Sequence, residues 1–105
     1  MKMKMKVMDL SGALLNTLVF RALVAHFGAD MVMCSPPRAE WSPATLWQDA
    51  GPIIERQCIV IDTDQGVTWR ASSAKNRDLV MTGCTPIIAA MRVFVAMMLG
   101  EEVEL

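Results

Sequence analysis

Two groups of side chains in the chain have metal-binding chemistry, but neither has the spacing that a metal site needs. His26, Cys34, Cys58 and Cys84 are zinc-ligand types, yet no two of them lie at the spacing of a zinc-binding motif. The stretch Asp-Thr-Asp-Gln-Gly at 62–66 begins like a calcium loop, but it lacks the third oxygen ligand and the closing glutamate. We therefore expect no metal and no cofactor, and we predict that 62–66 is a hairpin turn.

The residues that could perform catalysis are equally sparse. The only histidine ends an apolar segment, and the sequence contains no nucleophile motif and no phosphate-binding glycine loop. Glu40, Asp49 and Glu55 surround a long loop, where one of them could act as a carboxylate base with a perturbed pKa. Carboxylates in loops are usually only solvated, so we predict that the protein is not an enzyme.

Arg92 is the only strongly polar side chain between Thr85 and Gly100. A guanidinium keeps its charge when buried, and burying it without a partner costs several kcal/mol. We predict a structural ion pair between Glu55 and Arg92. Backbone carbonyls at the end of a helix or loop, or a bound anion, are the alternatives.

Two tryptophans lie in a loop punctuated by proline and glycine. Trp41, Trp47, Gly51 and Pro52 together predict a binding site for a protein partner, because tryptophan offers a large contact area at low entropic cost. The alternative is that both rings fold back as a lid on the sheet, next to Trp69.

A local group of basic residues predicts a second kind of partner. Arg70, Lys75 and Arg77 lie near Trp69, and Lys2, Lys4 and Lys6 add charge at the N-terminus, so a nucleic-acid-binding patch is the alternative function. The formal net charge of −1 provides no global positive field, which makes nucleic acid the less favoured partner.

The elements that must position these residues are visible in the sequence patterns. The fold class that they predict is α+β, with two long helices packed on a small antiparallel or mixed sheet that contains a β-hairpin. In the first half of the chain we predict an edge strand at 1–7, a helix at 12–27, a strand at 31–34 and a loop at 35–51. A helical turn from Pro52 then leads to hairpin strands at 58–62 and 67–71. A polar connection at 72–78, a short strand at 79–81 and a capped helix at 86–99 complete the prediction.

Size and composition predict one domain that associates with itself. The chain has 105 residues, which suffice for a single domain at 1–105, and 53% of them are hydrophobic. This is more apolar material than a small monomer buries easily, so we predict a homodimer. Its three cysteines are predicted to be reduced, buried thiols. No signal peptide and no membrane-spanning segment is recognised, and the expected location is the cytoplasm.

The chain resembles the NinX-like family of small phage proteins. The resemblance rests on Gly-Pro-Ile-Ile-Glu-Arg at 51–56, Thr-Pro-Ile-Ile-Ala-Ala-Met-Arg at 85–92, Leu-Gly-Glu-Glu-Val-Glu at 99–104 and Trp47. The sequence departs from the family pattern at Ala50, Val93 and Met97-Met98. The resemblance implies a phage or prophage protein in the cytoplasm of a host bacterium, and it implies no biochemical activity.

These observations predict a phage or prophage accessory protein that acts without catalysis. We expect it to bind a host or phage protein, as a homodimer, through the tryptophan-bearing loop and an apolar helix face. The competing prediction is a small nucleic-acid-binding protein that uses the basic patch.

Overall fold

The computed structural model describes residues 3–28 and 40–104, except for the side chain of Asp64. Within these residues the chain forms three α-helices, one 3₁₀ helix and two antiparallel sheets, so the predicted α+β class is confirmed. Of the three α-helices, the one at Trp47–Arg56 was predicted only as a turn. The predicted strand at 31–34 lies outside the described residues.

The larger sheet is an antiparallel meander of three strands. Strands β2 (Ile59–Asp64), β3 (Thr68–Ser73) and β4 (Asn76–Gly83) follow one another in space as they do in sequence. A turn at 65–67 joins β2 to β3, with φ of 57° at Gln65 and 76° at Gly66, so the predicted hairpin is confirmed. The predicted turn at 62–66 is wrong over 62–64, which belong to β2. Only two residues join β3 to β4. The predicted polar connection at 72–78 is therefore wrong, because most of it is paired strand.

The last helix, α3 (Pro86–Leu99), covers one face of this sheet. The Thr85 hydroxyl accepts a hydrogen bond of 3.2 Å from the Ile88 amide, and Gly100 ends the helix with φ of 96°. Both predicted ends are confirmed, because capping depends on residues next to the helix. Eight residues of α3 are buried: Ile87, Ala89, Ala90, Met91, Val93, Phe94, Val95 and Ala96.

Helix α3 lies against β4 where Gly83 ends the strand. A Cβ atom placed on Gly83 would lie 2.8 Å from the Ala89 nitrogen and 2.9 Å from Cγ2 of Ile88. The first of these neighbours is backbone, which cannot rotate away. The absent side chain therefore sets how closely the helix packs on the strand.

Two further helices pack beside α3. Helix α1 (Gly12–Phe27) has the predicted bounds and contacts α3. Helix α2 (Trp47–Arg56) begins five residues earlier than the predicted turn from Pro52, and Pro52 lies inside it. The predicted loop at 35–51 is therefore wrong over 47–51, where the chain is helical, and its first residues, 35–39, lie outside the described residues.

The two ends of the chain form a small sheet of their own. Strand β1 (Lys4–Lys6) pairs antiparallel with β5 (Glu102–Glu104), which places Lys4 opposite Glu104 and Lys6 opposite Glu102. The predicted alternation is confirmed over 4–6, where both lysines are exposed and Met5 is half-buried. The rest of the predicted strand at 1–7 differs: Met3 is exposed, Val7 begins the 3₁₀ helix, and residues 1–2 lie outside the described residues. The strand joins β5 and not the edge of the larger sheet. Across the described residues, we find no helix with the length and apolar character needed to cross a bilayer.

Candidate functional site

An open cleft of about 290 Å³ lies where α1, α2 and Trp41 meet. Most of its lining is apolar, from Leu23, Phe27, Trp41, Pro52, Ile53 and Phe94. Its polar lining comes from Gln48, Asp49, Arg56 and Gln57. An apolar concavity with a few converging polar groups is the usual form of a binding site.

Arg56 provides the positive charge of the cleft. Its guanidinium carbon lies 5.3 Å from the centre of the Phe27 ring, a cation–π contact between the last residues of α2 and α1. Arg56 is exposed, and no carboxylate of the described residues forms an ion pair with it. The contact with Phe27 holds the charge at the cleft and leaves its donors open to a ligand.

Gln57 forms the polar end of the cleft. Its side chain is only 2% exposed, with Nε2 3.4 Å from Nε2 of His26 and Oε1 3.5 Å from Nζ of Lys75. Its carbonyl accepts a 2.6 Å hydrogen bond from the Ser73 hydroxyl. The sequence analysis missed Gln57, because a single glutamine after a helix carries no local signal.

Trp41 reaches the cleft because a hydrogen-bond network holds its segment against α1. Nδ2 of Asn16 donates to the Ser42 hydroxyl over 2.9 Å, and the Ala44 amide donates to Oδ1 of Asn16 over 2.8 Å. The half-buried Trp41 ring meets Phe20 edge to face, with 6.2 Å between centroids. The sequence analysis missed the role of Asn16, although an asparagine inside a mainly apolar helix was a usable signal.

The four residues predicted to bind a partner occupy different positions. Trp41 and Pro52 line the cleft. Trp47 begins α2 and is 55% exposed, while Gly51 is half-buried inside the same helix, and neither lines the cleft. The structure therefore brings two of the four together and places the other two on the helix that forms the cleft wall.

Arg92 has different partners from the predicted one. Its Nε donates to the Leu10 carbonyl over 2.9 Å, and its Nη1 donates to the Thr82 carbonyl over 2.6 Å. Burial lowers the pKa of the Arg92 guanidinium from its ordinary value. Glu55 is exposed on α2 and forms no ion pair with Arg92, so the alternative of backbone carbonyls describes this site.

The three basic residues near Trp69 that were proposed for nucleic acid are all exposed, but two of them have partners within the protein. Nε of Arg70 lies 2.9 Å from Oδ1 of Asp62 on the neighbouring strand, and Lys75 lies against Gln57 in the β3–β4 turn. Arg77 is exposed on β4. A paired arginine offers less charge to phosphate than an unpaired one.

The remaining candidates for chemistry lie apart. Asp49 accepts a hydrogen bond of 2.8 Å from the Ser42 amide at the cleft, whereas Glu40 and Glu55 are exposed. Among the described residues, no three histidine, cysteine or acidic side chains come together as a metal site. Cys58 and Cys84 are free but exposed, so the prediction that they are buried is wrong; Cys34 lies outside the described residues.

Comparison with known protein families identifies the family of this chain. The family model described as Bacteriophage P22, NinX matches residues 6–98. These residues contain α1, α2, the three-stranded sheet and nearly all of α3, and therefore every residue that lines the cleft. No curated protein matches the chain.

Proposed function

Because the chain belongs to the bacteriophage P22 NinX family, we propose that it is a phage accessory protein that binds a segment of another protein in its cleft. The partner is a host or phage protein in the cytoplasm of the infected bacterium. The protein acts by binding, without catalysis. The observation that carries the proposal is an apolar cleft beside a guanidinium that has no carboxylate partner among the described residues.

The lining of the cleft defines the chemistry of the partner. A volume of about 290 Å³ holds one or two side chains, and the aromatic rings of Phe27 and Trp41 favour apolar ones. Arg56 at the rim favours a carboxylate, to which a guanidinium can donate two parallel hydrogen bonds. The proposed ligand is therefore a peptide segment with an apolar side chain close to an aspartate or glutamate.

Pro52 adds a backbone acceptor beside the cleft. A proline has no N–H group, so the Gln48 carbonyl, four residues earlier in α2, lacks the donor that a regular helix would supply. An unsatisfied carbonyl is a good acceptor for the N–H group of a bound peptide. Trp47, exposed on the same helix, enlarges the apolar area that a partner can cover.

Selection of binding peptides from a random displayed library tests this function. We expect the selected peptides to share an apolar residue near an acidic one. Arg56→Glu should raise their dissociation constant at least about tenfold, because reversing the charge replaces an attraction by a repulsion. The matched control is Arg77→Glu, the same charge change at an exposed arginine outside the cleft, which should leave binding unchanged.

A pull-down from phage-infected lysate with these two variants and with Trp47→Ala then identifies the natural partner. We expect wild type and Arg77→Glu to capture the same protein, and Arg56→Glu and Trp47→Ala to lose it. Failure to select any peptide, or equal binding by wild type and Arg56→Glu, would refute the cleft as the binding site.

A further inference from the structure

Strand β2 is an edge strand whose first half lacks the usual protection. It pairs with β3 on one side, and no strand of the described residues lies on its other side. Edge strands are normally guarded by charged side chains, proline or a bulge, but β2 begins Ile-Val-Ile before its first charged residue, Asp62, and Val60 is 59% exposed. β1, in contrast, carries Lys4 and Lys6.

We infer that β2 of one chain pairs antiparallel with β2 of a second copy, about a twofold axis at Val60. The two three-stranded sheets then become one sheet of six strands. The free edge of β2 would then be the surface through which the predicted homodimer forms. The apolar face of α3 is not available for it, because most of its residues are buried in the core of their own chain.

The register follows from the side chains. An axis perpendicular to the sheet keeps each face of the strand on the same side, so Val60 must pair with an even-numbered residue. An axis at Asp62 would put two aspartates directly opposite each other, and an axis at Ile61 would put Val60 opposite Asp62. An axis at Val60 pairs Val60 with Val60 and Ile59 with Ile61. It leaves Asp62 outside the paired strands, because Cys58, the residue across from it, precedes β2 and has φ of 53°.

This register also continues features that already cross the sheet. Val60, Ser72 and Val80 lie opposite one another on the three strands, and both valines are exposed. Pairing at Val60 extends this row into the second copy. On the other face, Ile59 is buried and Ile61 half-buried, so their pairing joins the two cores at the edge.

The paired segment is short, which sets the expected strength. Only residues 59–61 of each strand overlap in this register, because β2 begins at Ile59 and Cys58 has φ of 53°. Such an overlap buries less area than a standard stable interface. The dimer should therefore form in the micromolar range and dissociate on dilution.

Sedimentation velocity over about 1 to 500 µM protein tests the proposal. We expect wild type to approach twice the monomer mass of 11.6 kDa as its concentration rises. Val60→Lys should raise the dissociation constant at least about tenfold, because it places two lysines opposite each other at the axis. Circular dichroism should show that the variant remains folded, since the side chain is exposed.

Val80→Lys is the matched control. Val80 lies in the same row and is 50% exposed, but two strands separate it from the proposed interface. It should dimerise like wild type. If Val80→Lys abolished the dimer as well, the sheet would associate through its face and edge pairing would be refuted. A wild type that stays monomeric over the whole range would also refute it.

A disulfide trap tests the register itself. In Val60→Cys the two thiols at the axis have the Cα separation of an antiparallel pair, which suits a disulfide. Mild oxidation should give a dimer linked from residue 60 to residue 60 in peptide mapping. A link that runs instead through Cys58 of both chains would contradict the register. The cleft is a separate surface, so Val60→Lys should bind the selected peptides like wild type.

Discussion

At the scale of single residues, Gly83 determines the separation between α3 and the sheet. Because a Cβ atom there would lie 2.8 Å from the Ala89 nitrogen, Gly83→Ala forces the helix and strand apart. We expect the free energy of unfolding to fall by about 1 to 3 kcal/mol, as is typical of overpacking. Urea denaturation measures the change.

Gly51→Ala is the contrasting change. Gly51 lies in α2, and a Cβ atom there would have no neighbour within 4 Å. Alanine favours a helix over glycine by about 1 kcal/mol, so this variant should be as stable as wild type or slightly more so. If Gly83→Ala and Gly51→Ala changed the free energy of unfolding equally, close packing would not explain why residue 83 is a glycine.

A second prediction concerns the hydrogen bonds of Arg92. Arg92→Met removes both donors and leaves the Leu10 and Thr82 carbonyls without them, so we expect a loss of about 1.5 to 3 kcal/mol of stability. Glu55→Gln should have no measurable effect, because Glu55 is not the partner. If Glu55→Gln lost as much stability as Arg92→Met, the predicted ion pair between Glu55 and Arg92 would be supported.

The pH dependence of the stability lost in Arg92→Met distinguishes further between backbone carbonyls and a carboxylate as the partners of Arg92. Burial lowers the pKa of Arg92, so its folded form binds a proton less tightly than its unfolded form. The resulting change in stability, a gain as the pH rises, is confined to strongly alkaline pH. Between about pH 5 and pH 9 an arginine keeps its charge. The difference between wild type and Arg92→Met should thus be constant over this range in urea denaturation, whereas an ion pair with a carboxylate would weaken at the acidic end.

At the scale of the elements, Asn16 of α1 fixes the segment that carries Trp41. Asn16→Ala leaves the Ala44 amide without its acceptor and removes one of the two partners of the Ser42 hydroxyl, which keeps its hydrogen bond with Thr45. We expect a loss of about 1 to 3 kcal/mol in urea denaturation, together with a red shift of tryptophan emission as Trp41 becomes more exposed. Thr17→Ala, at the next position, removes only an exposed hydrogen bond to the Ala13 carbonyl and should change neither quantity.

The same elements show what a sequence can and cannot predict. Helix α3 was predictable at both ends because Thr85, Pro86 and Gly100 act on their immediate neighbours. Helix α2 was not, since Leu46 before it offers no side-chain cap and Pro52 reads as a first residue while lying in the interior. Local chemistry is visible in a sequence only where the local signal and the tertiary structure agree.

The cleft and the partners of Arg92 depend on contacts between distant parts of the chain. Trp41 and Pro52 were predicted as site residues, but Phe27 and Arg56 meet only because α1 and α2 end side by side. Leu10 and Thr82 contribute carbonyls, and every residue has a carbonyl, so no residue type marks those positions. Such sites need the fold before they can be recognised.

At the scale of the whole molecule, charge pairing argues against nucleic acid as the partner. Arg70 pairs with Asp62, and Lys4 and Lys6 lie opposite Glu104 and Glu102. We expect no binding to labelled single-stranded or duplex DNA in fluorescence anisotropy, even at about 50 mM salt. Binding that falls steeply with added salt would favour the basic patch.

The terminal sheet has a mechanical consequence. Because β1 and β5 run antiparallel with Lys4 opposite Glu104, a pull applied at these two residues loads one end of the ladder first. Its hydrogen bonds then break one after another. If the two strands were pulled in shear, all of these hydrogen bonds would share the load. A molecule tethered at both ends should release this sheet at low force, while the helices and the larger sheet, whose strands are not pulled directly, remain folded.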